Sequence, residues 1–293
     1  MENNEENKFL HQLKFGDNWR PEWIDHFKQQ LLFFEVSGPH AQVLYNGGGW
    51  QTRHEIMIKS IKEAVERKPV SYKKRFYLFT GDQLPQNLES EWRILSTVGG
   101  RSDFDSIVPD AYSFSWPEIG VTNFSDHNDA MFKKSQELLA QNRVLNKAYW
   151  RGSLNQNPSR REFFNQVKGN EHFDVLDVSM TNFKSMQDVG EYSVLIDLPG
   201  QGYSARLKHL VLSGRPVIVY PRDQWDWVSV QLEPGIHYLL SMPSCDHLKI
   251  SCELALFNSA IRNFYSNKGQ EARILLKRET LYSAISNRIN SCD

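Results

Sequence analysis

Residues 195–209, LIDLPGQGYSARLKH, concentrate the residue types that could hold an anion. An apolar run of strand character ends in a loop with Gly200 and Gly202, and a helix is expected from Ser204 to about 213. Such a turn presents free backbone N–H groups and a helix N-terminus, which attract negative charge. Arg206 and Lys208 add fixed positive charge beside it. The spacing GxGxxxRxK is neither the dinucleotide fingerprint nor a P-loop, so it points to neither NAD nor ATP. The bland alternative is a strand-to-helix turn with surface basic residues.

A second cluster is YWRGS at 149–153, with Arg160 and Arg161 downstream. It again places a glycine, Gly152, and a hydroxyl, Ser153, after a strand and beside cations such as Arg151. A diphosphate bridging two such loops meets several donors without a metal. The alternative is a basic surface loop with Trp150 in the core. A third candidate is Asp82, directly after the strand-like RFYLFT. A carboxylate at a strand's C-terminal end faces the crevice where α/β sheets bind ligands, and could serve as a general base. It could equally be a turn aspartate.

Asp103 and Asp105 form a DxD tripeptide, the kind of pair that holds a divalent cation on a nucleotide diphosphate. It precedes a Pro-bounded loop rather than a strand end. The nine histidines form no HxH or HExxH arrangement, so His209 and His237 read as structural or pocket-lining. No GxSxG is present. Trp225 and Trp227, near His237, could stack a sugar or base, although core packing is the commoner use.

These residues need elements to position them. Helical spacing is expected over 21–35, after Asp17 or Asn18 as caps, and over 52–67. Residues 42–45 and 75–80 read as strands, giving an α/β start. A loop-rich middle at 86–125 leads to a polar helix over 126–143. A second α/β series follows, with strands at 148–151, 173–178, 192–198 and 216–220 and a helix at 160–167. A last helix over about 250–289 is expected to break near Lys268 and Gly269. The boundary between the two series falls near 125–147.

The chain has 293 residues, enough for two domains. Its 34 basic and 35 acidic side chains leave a net charge of −1, without the footprint of a nucleic-acid binder. No apolar run is long enough for a membrane span. The start of the chain, residues 1–8, is acidic and Asn-rich, unlike a signal peptide. Three cysteines, an odd number with no zinc spacing, fit a reducing cytoplasmic setting.

Taken in order, AYWRGS with SRREF, then LIDLPGQGYSARLKHLVLSGRPVIVY, then QW followed by PGIHYL, resemble glycosyltransferase family 90. That family includes fungal capsule-associated xylosyltransferases, animal protein O-glucosyltransferases, and bacterial and large-virus relatives. The resemblance runs from about residue 38 to 270 and is strongest at 148–162 and 192–240. It implies a GT-B type α/β fold, two Rossmann-like domains facing a central cleft. Residues 1–135 would form the acceptor and base domain, joined by the returning C-terminal helix at about 265–293. Residues 136–264 would bind the UDP-sugar.

The resemblance also implies inverting transfer of xylose or glucose from a UDP-sugar, with no metal or other cofactor. The acceptor would be a hydroxyl of a glycan, glycolipid or glycoprotein, and neither nucleic acid nor a membrane span is implied. Carried over by position, Arg151, Gly152, Ser153 and Arg160 fall in the first donor motif. Gly200, Gly202, Tyr203, Ser204, Arg206 and Lys208 fall in the phosphate-binding loop, and Trp225, His237 and Tyr238 in the pattern after it. Trp50, Arg53 and Trp116 are further candidates for the cleft or the acceptor.

Asp82 takes the place of the base. The family sets that aspartate two residues closer to the strand and directly before an aromatic-Pro pair, whereas here Gln83 and Leu84 precede Pro85. The stretch DSIVPDAYSF places Asp105 in the domain-linking region. Two other readings remain: a nucleotide-sugar or carbohydrate-binding module without turnover, and a metal-dependent transferase using Asp103 and Asp105.

Overall fold

A computed structural model describes residues 9–16, 18–83, 88–178 and 183–292. The chain divides into two compact units. One comprises Met1–Ser115, Gln224–Trp227 and Arg278–Asp293, the other Trp116–Asp223 and Val228–Lys277. Asp17 and Pro85 lie outside the described residues.

The first unit is built on β1 (Leu31–Gly38), β2 (His40–Asn46), α1 (Gln51–Arg67), β3 (Val70–Phe79) and β4 (Ile94–Ser96). The sheet order is β2-β1-β3-β4. β1 runs antiparallel to β2 and β3, and only β3 and β4 are parallel. This corrects the Rossmann-like expectation for this half. Only Pro39 separates β1 from β2, and Gly38, at φ 58°, takes the left-handed turn. So short a link makes a hairpin, whereas a parallel pair needs a crossover.

The helix expected over 21–35 is also corrected: it covers Pro21–Gln29, with Arg20 rather than Asn18 at the cap position. Leu31 and Leu32 open β1 instead. They begin a run, LLFF, with no exposed residue, and a strand covered on both faces reads as continuous apolar sequence. One face packs on α1 and the helix Arg278–Asn290 through Leu32, Phe34, Met57, Ile61, Ile285 and Ile289. The other face is aromatic: the Phe33 ring lies 4.7 Å from Tyr77 and 4.8 Å from Trp92.

The second unit contains α2 (Phe124–Ala140), β5 (Leu145–Gly152), α3 (Pro158–Val167), β6 (Phe173–Asp177), β7 (Tyr192–Asp197), α4 (Leu207–Leu212), β8 (Val217–Val219) and β9 (Leu239–Leu240). α5 (Cys245–Phe257) and α6 (Ser259–Leu275) complete it. All five strands are parallel, in the order β6-β5-β7-β8-β9. Counted within the unit this is 2-1-3-4-5, a doubly wound sheet whose switch point lies between β5 and β7. Asn123 and Asn157 cap α2 and α3, each accepting backbone N–H bonds.

Two helix expectations change here. α4 starts at Leu207, three residues after Ser204, and has only six residues. The long last helix breaks at Asn258 and again at 276–277, not at Gly269. Asn258 starts a new helix by accepting from the N–H groups of Ala260 and Ile261. Gly269 sits within α6 because a Cβ there would come within 2.7 Å of the Val211 carbonyl oxygen. The glycine serves close packing rather than a break. Cys245, Cys252 and Cys292 are free and buried.

Candidate functional site

In the second unit the loops after β5 and β7 meet at the sheet's switch point. Gly152 ends β5 where a Cβ would press within 2.7 Å of the Trp150 ring. At Gly200 a Cβ would come within 3.0 Å of the Tyr203 carbonyl oxygen. Arg160, from the first turn of α3, ties the two loops together. Its Nε donates to the Pro199 carbonyl at 2.6 Å and its Nη1 to the Ser153 carbonyl at 2.9 Å. Asn157 Nδ2 adds a 3.0 Å bond to the Gly200 carbonyl. Arg160 is thus a buried clamp on main-chain oxygens as well as a cation. Burial first, then the charge of Arg206, pushes its guanidinium down to about 9.

Three more guanidinium groups share this end of the sheet. Arg151 pairs with Asp174 at 2.7 Å, and Asp174 also accepts from the Tyr192 hydroxyl at 2.6 Å. Arg206 donates through Nη1 to the Arg151 carbonyl. Arg222 pairs with Asp197 at the C-terminal end of β7, where both side chains are buried. Asp197 also accepts from the Ser204 hydroxyl at 2.6 Å, which fixes the loop before α4. Arg151 and Arg222 thus pair with carboxylates here, while Arg160 and Arg206 bind main-chain carbonyls.

Arg206 Nη2, Arg151 Nε and Trp150 Nε1 are buried donors without a hydrogen-bond partner. Burial pushes the Arg206 guanidinium below its ordinary value, with Asp197 offsetting part of that effect. Buried donors normally find acceptors, so a set of orphaned ones calls for a ligand rich in acceptor oxygens. α4 has only six residues, so the positive groups at this end of the sheet are guanidinium groups rather than a helix N-terminus. Tyr203 and Lys208 are buried, with the Lys208 ammonium 5.7 Å from the Tyr203 ring centroid. Gly202 is buried in the same loop.

The first unit carries Asp82, just past β3. Arg53 Nη1 binds its Oδ1 at 2.6 Å and the Thr80 carbonyl at 3.2 Å, while Arg53 Nε donates to the Tyr112 hydroxyl at 2.8 Å. The Arg53 guanidinium also lies 4.6 Å from the Trp50 ring and 5.1 Å from the Tyr112 ring. Trp50 is exposed and follows a glycine loop pressed against Gln29, where a Cβ on Gly47 would lie 2.1 Å from the Lys28 carbonyl oxygen. Behind Asp82, the buried His54 bonds Asn46 Oδ1 at 2.6 Å and Thr80 Oγ1 at 3.0 Å. Asn46 Oδ1 also accepts from Gly48 N–H. Burial drives His54 down to about 4, which keeps the imidazole neutral near pH 7.

The remaining candidates disperse. In the first unit Trp225 is buried on a short strand against Gly99, with Arg101 4.3 Å from its ring. In the second, Trp116 packs 6.1 Å from the His209 ring. His237 accepts from Glu233 N–H through Nδ1 and closes a turn. Asp103 accepts from Gly100 N–H at 2.9 Å, and the exposed Asp105 pairs with Arg288. The DxD pair is therefore engaged in local capping and an ion pair. Among the described residues no three His, Cys, Asp or Glu side chains gather as a cation site.

Sequence reasoning missed Asp197, Arg222 and His54. Arg222 could have been found by extending the strand-end argument to β8, which neighbours β7. No local signal marks His54.

Residues 85–271 match the family model described as glycosyl transferase family 90. The span includes the whole arginine cluster, and Asp82 lies just before it. No curated protein matches the chain.

Proposed function

We propose that this chain, which belongs to glycosyl transferase family 90, is an inverting, metal-independent transferase that moves xylose or glucose from a UDP-sugar to an acceptor hydroxyl. Family membership makes it a glycosyltransferase; the donor, the stereochemistry and the roles below are our reading. The observation that carries it is the gathering of buried guanidinium groups and orphaned donors at the β5–β7 switch point. That is the chemistry a nucleoside diphosphate satisfies.

The second unit holds the donor, with its diphosphate taken by Arg206 and the loops that Arg160 clamps. As the sugar C1–oxygen bond to UDP breaks, the electron pair passes to the diphosphate, where fixed cations stabilise the growing charge. Asp82 of the first unit accepts the proton of the acceptor hydroxyl, whose oxygen bonds to C1 on the face opposite UDP. An α-linked donor thereby gives a β product. Arg53 holds Asp82 by one oxygen. Among the described residues the other oxygen makes no hydrogen bond, which leaves it for the proton.

The Arg53–Asp82 ion pair also supports a second reading, in which the chain binds a nucleotide sugar without turning it over. Thermal-shift measurements with UDP, UDP-glucose and UDP-xylose, paired with an assay for UDP release, separate the two. Ligand-dependent stabilisation with release is the expected result. Stabilisation without release, with or without an acceptor, would select the binding module. No stabilisation by any uridine nucleotide would defeat both.

A further inference from the structure

The second unit has a pocket of about 530 Å³ at the N-terminal ends of its strands, lined among others by Asn146 on β5, Ser193 on β7 and Pro216 before β8. The arginine cluster lies at the opposite ends of these parallel strands. Along the six residues of β7 the two ends are separated by roughly 17 Å. The pocket therefore shares no residue with the candidate donor site.

Its lining is chemically one-sided. It includes two arginines, three asparagines and three serines, and no Asp or Glu. Arg215 is 5% exposed, and its Nε and Nη2 donate to the Gly190 and Ser135 carbonyls. Gly190 can offer that carbonyl only as glycine, since a Cβ there would fall within 1.8 Å of Ser135 Oγ. No carboxylate pairs with Arg215 among the described residues, and burial lowers its guanidinium to about 10. Arg262, on α6, spends Nη1 on the Ala255 and Leu256 carbonyls. Among the described residues Arg215 Nη1 and Arg262 Nε and Nη2 make no hydrogen bond, and both residues line the cavity.

The backbone is irregular where it meets this space. Asn142 has φ 53°, the one described non-glycine residue at positive φ. The β5–β7 register shifts between Tyr192 and Val194, so that Asn146 and Lys147 oppose the single residue Ser193. Such bulges re-aim side chains, here Asn146 and Ser193, both of which line the pocket. Phe257, also lining it and 63% exposed, offers an aromatic face.

We propose that this pocket is a second ligand site, selective for an anionic monosaccharide: a sugar ring bearing a phosphate or a carboxylate. The two arginines take the anion, the amides and hydroxyls take the ring hydroxyls, and Phe257 covers a ring face. The volume suits a ligand of this size.

The test is calorimetric titration of the full chain, saturated with UDP, using glucose 6-phosphate, glucuronate, glucose and inorganic phosphate. At least one of the two sugar anions should bind at one site per chain. Glucose and phosphate should each bind about tenfold more weakly or worse, the loss of one charge-assisted contact. Which anion binds identifies the source, a phosphosugar or a uronic acid. Arg262→Gln should weaken binding about tenfold. Asn263→Asp, at an exposed position and therefore safe for folding, should weaken the anions by repulsion while leaving UDP binding unchanged. Arg206→Ala should leave the sugar anion bound as before. The proposal fails if neither sugar anion binds, if glucose or phosphate binds equally well, if Asn263→Asp has no effect, or if Arg206→Ala abolishes binding.

Discussion

The arginine cluster of the second unit and the Asp82 site of the first are built on opposite plans. In the cluster, Arg160 clamps three main-chain carbonyls and Arg222 pairs with Asp197 out of contact with solvent. Around Asp82, one ion pair lies at the end of a strand, with about a third of the aspartate side chain exposed. The contrast separates two kinds of loss. Where binding groups also hold the loops together, removing one disturbs the fold. Where a reacting group stands apart, it can be changed with the fold left intact.

Asp82→Asn should give the largest effect, a fall in turnover of roughly 10²- to 10⁴-fold, the usual contribution of a general base. UDP affinity and thermal stability should stay at the wild-type level. Near-normal turnover would remove Asp82 from the role. Asp197→Ala should do the reverse. It removes the carboxylate that Arg222 pairs with at the end of β7, and breaking such a buried pair costs about 3–5 kcal/mol. Chemical denaturation should register that loss, and a variant as stable as the parent would show that the pair is not structural. Arg206→Ala lies between these extremes. UDP binding should weaken by about 1.5–3 kcal/mol, the value of a charged hydrogen bond, as read by calorimetry. Unchanged affinity would move the diphosphate elsewhere.

A pH experiment sharpens the comparison from the first unit's side. His54 titrates near 4 in the fold, below its ordinary value of 6.5, because burial disfavours the imidazolium. The unfolded chain therefore takes up the proton first. The His54 contribution is fully present above pH 6.5 and is lost as pH falls from there toward 4, by about 1.4 kcal/mol per pH unit. Denaturation at pH 7.5 and pH 5 should show the loss, and His54→Asn should flatten the slope. An unaltered slope would assign the acid sensitivity elsewhere. The smallest change belongs to Asp103→Ala, which removes a turn cap worth about 1 kcal/mol and should leave transfer unchanged with or without EDTA. Strict dependence on Mn²⁺ would restore the metal reading.

Much of the second unit was legible in the sequence because its strands are short apolar runs punctuated by glycine and proline, and its cations follow strand ends. The same local logic misread the first unit. Helical spacing over 21–35 concealed a strand, because a strand buried on both faces carries no alternation. The start of α4 was misplaced because Ser204 looks like a cap, yet its hydroxyl is committed to Asp197, seven residues back. The Asp197–Arg222 pair joins residues 25 apart, His54 meets Thr80 26 residues on, and the His54 shift depends on burial; none of this appears in a short window.

The cysteines give each unit its own clock. Cys292 sits in the first unit's core, and Cys245 and Cys252 in the second's. Burial raises Cys245 to about 12 and Cys252 higher still, so neither presents a thiolate while its surroundings stay closed. An alkylating reagent can reach them only through opening events. The rate at which each sulfur is tagged, followed by mass spectrometry of its peptide, would report how often each half breathes. If the second unit holds the donor as proposed, a uridine nucleotide should slow tagging at Cys245 and Cys252 more than at Cys292.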